Sequence, residues 1–234
     1  MMNQDINLFV SFWVDWFDCI RSPLKSCRKI LISAIPDKEK IIFASRIWII
    51  AFLLSFALEL PLYFYIGIHI EKPFVFSYLA YGFLLIFIAS FIMHIVLRAF
   101  GIQSIFHETF IIYSILMGSY SPFLLLLSYP VQINNALLIT EIKNGHIPSL
   151  NALPLLFYNK INYEPLIVIV SSFMNILSGM LNLIIVVLLL YAIMDRYNSN
   201  KFRTLLSITF FQIFLLPYLF PFMIKDVILL FYKG

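Results

Sequence analysis

The chain has 234 residues, of which 62% are hydrophobic and only 12% charged, with a formal net charge of +4 and a mean hydropathy of +0.95. A water-soluble domain of this length cannot cover so much apolar side chain, because about a quarter of an ordinary globular chain is charged; a polytopic membrane protein is the class that remains. The positive excess is too small and too scattered to make nucleic acid the principal partner.

Residues 1–40 read as amphipathic and basic interfacial helices, ahead of a transmembrane domain over 41–234. Asn7, Ser11, Asp15 and Asp18 form a narrow polar stripe at helical spacing, and Phe9, Phe12, Trp13, Trp16, Phe17 and Ile20 cover the rest. A helix of that kind lies in the membrane interface, with Trp13, Trp16 and Phe17 as its surface contacts. Asp15 and Asp18 interrupt the apolar run, so no cleavable secretory leader is expected.

Ser22 followed by Pro23 marks a second helix start. Leu24, Cys27, Leu31 and Ala34 share one face of it, while Lys25, Arg28 and Lys29 offer charge that anionic head groups attract. A solvated basic turn is the alternative. Cys19 and Cys27 are the only cysteines, and on a cytoplasmic segment they are expected to be reduced rather than bridged.

Five apolar runs follow, near Ile47–Ile68, Phe74–Leu97, Phe110–Ile133, Leu166–Met194 and Leu205–Tyr232. Each is long enough to cross a hydrocarbon core of about 30 Å. The expected fold class is therefore all-α: a single bundle of five transmembrane helices without internal repeats. Eleven of the sixteen lysines and arginines lie before the first run or in the second and fourth connectors. By the positive-inside rule the amino terminus is cytoplasmic.

The second connector, within HIVLRAFGIQSIFHETFIIY (residues 94–113), concentrates His94, Arg98, His107 and Glu108. Gly101 can stop one helix, and Ser104 with Glu108 resembles the start of the next, an acidic side chain opposing the helix dipole. A metal or proton site is the competing reading. It has no paired-His or CxxC spacing to support it, so the residues fit a polar turn better.

That stretch also carries a resemblance. An arginine-ended span, a glycine, the segment QSIFHETF, and then a span bearing Tyr113, Ser121 and Pro122 resemble the Yip1 domain. The Cys19–Ile35 segment resembles the short Pro-containing basic helix ahead of the first span in bacterial members. The resemblance implies five spans and a cytoplasmic amino terminus. With only about 40 residues before the first span, the chain is closer to the bacterial branch, which implies the inner membrane and no generally assigned activity.

Two further features bear on function. Ser171, Asn175, Ser178 and Asn182 form a polar stripe on the fourth span, with Gly179 beside them. Asparagine is costly against lipid, so the stripe is expected to face protein or water: a helix-packing face, or the lining of a pore. Ser114, Gly118 and Ser121 give the third span a matching small face. Glu59, two residues before Pro61, is an intramembrane carboxylate that is either structurally paired or an ionic element.

No nucleophile elbow, phosphate-binding loop or catalytic carboxylate pair is present. The expectation is a non-enzyme without cofactors, its partners being membrane lipids and either further copies of itself or a membrane complex with a cytoplasmic partner. A membrane scaffold or anchor, a transporter or channel subunit lined by the fourth-span stripe, and the membrane sensor or effector of a multi-gene system such as bacterial defence are the functions compatible with it.

Overall fold

The computed structural model describes residues 2–66, 72–143 and 165–212. These are helical with short turns, and no strand occurs among them. The helices are α1 (Met2–Arg21), α2 (Pro23–Ile32), α3 (Asp37–Ile66), α4 (Lys72–Ala99), α5 (Phe106–Lys143), α6 (Pro165–Tyr197) and α7 (Lys201–Phe210). Four of them carry segments long and apolar enough to cross a membrane: Asp37–Pro61, Gly82–Ala99, Phe106–Ser128 and Ser172–Tyr197. Four of the five expected runs are thus helices of spanning length. The fifth begins on α7, and the remainder of Leu205–Tyr232 lies outside the described residues.

The helices outrun the hydrocarbon core. At 1.5 Å per residue, the 38 residues of α5 extend about 57 Å, nearly twice the roughly 30 Å of acyl chain to be crossed. The stretch after Ile133, read from sequence as connector, continues α5 as far as Lys143.

Helix α5 is the axis of the bundle, with α3 as its most extensive neighbour, then α6 and α4. Two contacts fix how α3 and α5 run. Asp37 meets His107 at 3.5 Å, and further along, the backbone of Ile47 and Trp48 abuts Gly118. Both helices advance by about three turns between those contacts, so they lie side by side in the same direction. Helix α6 runs the opposite way, because Arg196 at its end meets Glu108 at the start of α5. Ile47, Met93, Leu97, Ile111, Ile112, Ile115, Leu116, Leu189 and Ile193 fill the space between, all under 2% exposed.

Gly118 is what allows the close α3–α5 seam. A Cβ there would lie 3.2 Å from Ile47 Cγ2 and Trp48 Cα, and 3.3 Å from the Ile47 carbonyl carbon. Two of those atoms are backbone and cannot swing aside. Of the small face expected on the third span, Gly118 is thus used against α3.

The amino-terminal helices pack against the bundle. Trp16 is 5% exposed. Its indole Nε1–H donates to the Gly118 carbonyl at 3.1 Å, and its ring stacks on Phe123 at 6.4 Å with planes 3° apart. Tyr120 Oη reaches the Ile20 carbonyl at 3.5 Å. These α5 positions lie about 18–25 Å along the helix from Phe106, so the carboxyl-terminal half of α1 docks well along the bundle. Trp13 is half-buried and packs on the same core, whereas Phe17 stays 60% exposed. Arg46 sits over the Phe12 ring at 5.0 Å.

Helix α2 begins at Pro23 as the Ser22–Pro23 pair implies, although the Ser22 side chain makes no capping bond. It buries Pro23, Cys27 and Leu31 against the bundle. Ala34, placed on that face by the sequence pattern, falls past the end of the helix and is exposed.

Candidate functional site

The polar groups gather at one end of the bundle, where α2 ends, α3 and α5 begin and α6 ends. The α4–α5 turn shapes this end. Gly101 adopts φ +78°, the left-handed conformation that only glycine takes without strain. The Ile102 amide bonds the Leu97 carbonyl at 2.9 Å and the Gly101 amide bonds Arg98 at 3.0 Å, the two bonds of a Schellman cap.

Ser104 does not cap α5. Its hydroxyl turns back to α4, 2.9 Å from His94 Nδ1 and 3.3 Å from the His94 carbonyl. His94 also meets the Phe106 ring edge-on at 6.0 Å.

Glu108 does more than oppose a helix dipole. Its carboxylate is 7% exposed and receives both Arg196 Nε, at 2.9 Å from Oε2, and Arg196 NH2 on Oε1. This fork-on-carboxylate arrangement is among the strong ion pairs side chains make, and it locks the start of α5 to the end of α6. Tyr197 extends the clamp. Its hydroxyl lies 3.1 Å from Thr109 Oγ1 and donates to the Ile105 carbonyl at 3.2 Å.

A second tier surrounds that pair. Asp37 meets His107 Nε2 at 3.5 Å and Lys40 Nζ at 3.2 Å. Lys40 also donates to the Leu31 carbonyl at 3.4 Å, tying the end of α2 to the start of α3. Arg28 of α2 lies 3.7 Å from Asp195 of α6.

The histidines of the quoted stretch thus part company: His94 bonds within its turn and His107 faces α3. Among the described residues no three His, Cys, Asp or Glu side chains group closely enough to hold a metal ion. What this end does is clamp four helices, α2, α3, α5 and α6, through paired charges. The signal for Glu108–Arg196 was present in the sequence only as one acid and one base 88 residues apart, a separation at which spacing carries no information.

The fourth-span stripe has a different setting. Asn175, Gly179 and Asn182 on α6 are exposed, and Ser178 is half-buried. No atom among the described residues lies within 4 Å of a Cβ built at Gly179. Ile176, Met180 and Leu183, around the same level, are 59–64% exposed. Ser171 belongs to α6 by its backbone. The stripe therefore does not contact the α3–α5 seam. Glu59 is half-buried on α3, within the spanning segment.

On α2 the outward face carries Lys25, Arg28 and Lys29, which with Ile32 and Ser33 line a shallow groove of about 460 Å³. Near it Asp15 is held above the ordinary carboxylate range, first by burial and then by Asp18, against the pull of Lys29 and Arg46.

Cys19 and Cys27 are unbridged and 1% and 2% exposed. Burial pushes the Cys19 thiol up to about 11 and the Cys27 thiol higher still. Because the thiolate is the reacting form, both are expected to resist maleimide at neutral pH in the folded chain and to react promptly once denatured. Rapid labelling of the native protein would show that α1 and α2 do not stay docked.

No family model matches this chain, and neither a curated protein nor a solved structure matches it significantly.

Proposed function

We propose that this is a non-enzymatic integral membrane protein that works as a self-associating scaffold, anchoring a partner at its amino-terminal end. We read it as Yip1-like: five crossings, the fifth starting on α7, with the clamped polar end and the amino terminus on the cytoplasmic side, in the inner membrane if the source is bacterial. The observation that carries this reading is the α6 stripe. Two asparagines flank a glycine over which no described residue lies, on a face otherwise studded with exposed apolar side chains. Amides facing lipid are costly, whereas a glycine between them lets a second helix approach closely enough for those amides to bond across. A second copy of α6 meets both requirements.

The test is the mass of the protein in mild detergent. Gly179→Leu is expected to convert the oligomer to monomer, and Asn175→Leu with Asn182→Leu to weaken it, without loss of the monomer's own thermal stability. Variants that keep the wild-type mass would remove the stripe as the association face. Variants that lose monomer stability would instead mean that the stripe packs within its own chain.

A further inference from the structure

We propose that the groove on α2 is a binding site for the phosphate of an anionic glycerophospholipid. Lys25, Arg28 and Lys29 stand at i, i+3 and i+4, so their side chains share one face of a ten-residue helix. Arg28 is steadied by Asp195 at 3.7 Å; Lys25 and Lys29 have no salt bridge among the described residues and both are exposed. Three cations facing one concavity, against Asp195 in contact with Arg28 and Asp15 within electrostatic reach of Lys29, leave a net positive site of a size that suits a phosphodiester and its first atoms of glycerol.

The apolar rim selects lipid over a soluble phosphate. Ile32, in the groove wall, is 65% exposed and Ile35, just past it, 38%. Both would be wasted on inorganic phosphate and are useful beside acyl chains. The placement agrees. Helix α2 lies against α5 and α6, both of spanning length, so a lipid of the same leaflet reaches the groove with its head group while its chains stay with those helices. The charge count agrees as well, because each basic residue near an anionic surface strengthens binding by roughly fivefold.

The proposal rests on the membrane reading, and the experiment separates the two. The full chain is placed in nanodiscs of phosphatidylcholine with a minor fraction of labelled phosphatidylglycerol, and the exchange constant for the anionic lipid is measured. Lys25→Gln/Lys29→Gln leaves the Arg28–Asp195 contact intact and is expected to lose on the order of thirtyfold in preference. A control of equal charge, Lys38→Gln/Lys201→Gln, removes exposed cations that do not line the groove and is expected to keep the wild-type value. Equal losses in the two variants would reduce the effect to diffuse surface charge and overturn the site. Displacement of the lipid by inorganic phosphate at millimolar concentration would overturn the lipid as ligand. A chain that fails to enter nanodiscs at all defeats the membrane reading, whereas one that enters without any preference defeats only this site.

Discussion

Replacing Arg196 by methionine is expected to cost the folded chain about 3 kcal/mol. The reason lies in the asymmetry of the pair. The Glu108 carboxylate is 7% exposed and the Arg196 guanidinium 34%. Removing the arginine strands a charge that has no route to water, while removing the acid leaves a cation that still reaches it. Glu108→Gln is therefore expected to cost distinctly less than Arg196→Met. The double variant Glu108→Gln/Arg196→Met should regain much of the loss, because a neutral amide replaces the stranded charge. Thermal melts in one detergent, at one pH, compare the three. For a chain of this size about 3 kcal/mol corresponds to roughly 6–12 °C in Tm. If the double variant melts below Arg196→Met, Glu108 is not held there as an anion paired to Arg196.

The largest effect is expected at Gly118. A methyl group there meets backbone of α3 at 3.2–3.3 Å, so even Gly118→Ala should cost about 1–3 kcal/mol through overpacking. Gly118→Leu should fail to give a monodisperse protein, because it parts α3 from α5 and also moves the carbonyl that accepts from Trp16. Size-exclusion profiles and indole emission read both consequences: aggregation, and a shift of the spectrum as Trp16 leaves its site. The informative contrast is with Gly179→Leu. Both glycines sit in apolar helices beside small or polar residues, yet among the described residues only Gly118 has a neighbour in contact. A Gly118→Leu chain that melts with the wild type would mean that the α3–α5 seam is not as close as described.

That contrast also marks where the sequence was readable and where it was not. Periodicity and run length sufficed for the four spanning helices, since apolar composition over about 20 residues is a local property. Gly101 at the end of α4 and Pro23 at the start of α2 were equally local, because backbone conformation dictates the residue. The partners were not. Gly118 and Gly179 look alike in sequence, and only the packing of α3 distinguishes them. Glu108 fitted a helix start, and its bond to Arg196 depends on α6 returning antiparallel. Trp16 has the amphipathic setting of an interfacial residue, but a tertiary acceptor and a stacking partner draw it into the bundle. His94 and His107 share one connector in the sequence, yet His94 bonds Ser104 and His107 meets Asp37 of α3.

The hydrogen bond from Trp16 to Gly118 spans 102 residues of chain, and that separation has a consequence in time. A ribosome adding about 5–20 residues per second leaves roughly 5–20 s between the emergence of the indole and that of its acceptor. Throughout that interval α1 exists without its docking groove, its tryptophans and phenylalanines unsheltered. A bilayer surface would offer an apolar refuge, since an amphipathic helix binds there reversibly. Arrival of α5 then offers a better place. The same helix is thus expected to have two successive addresses, first on the lipid and later against the protein, and its departure from the first would report that the bundle behind it has closed.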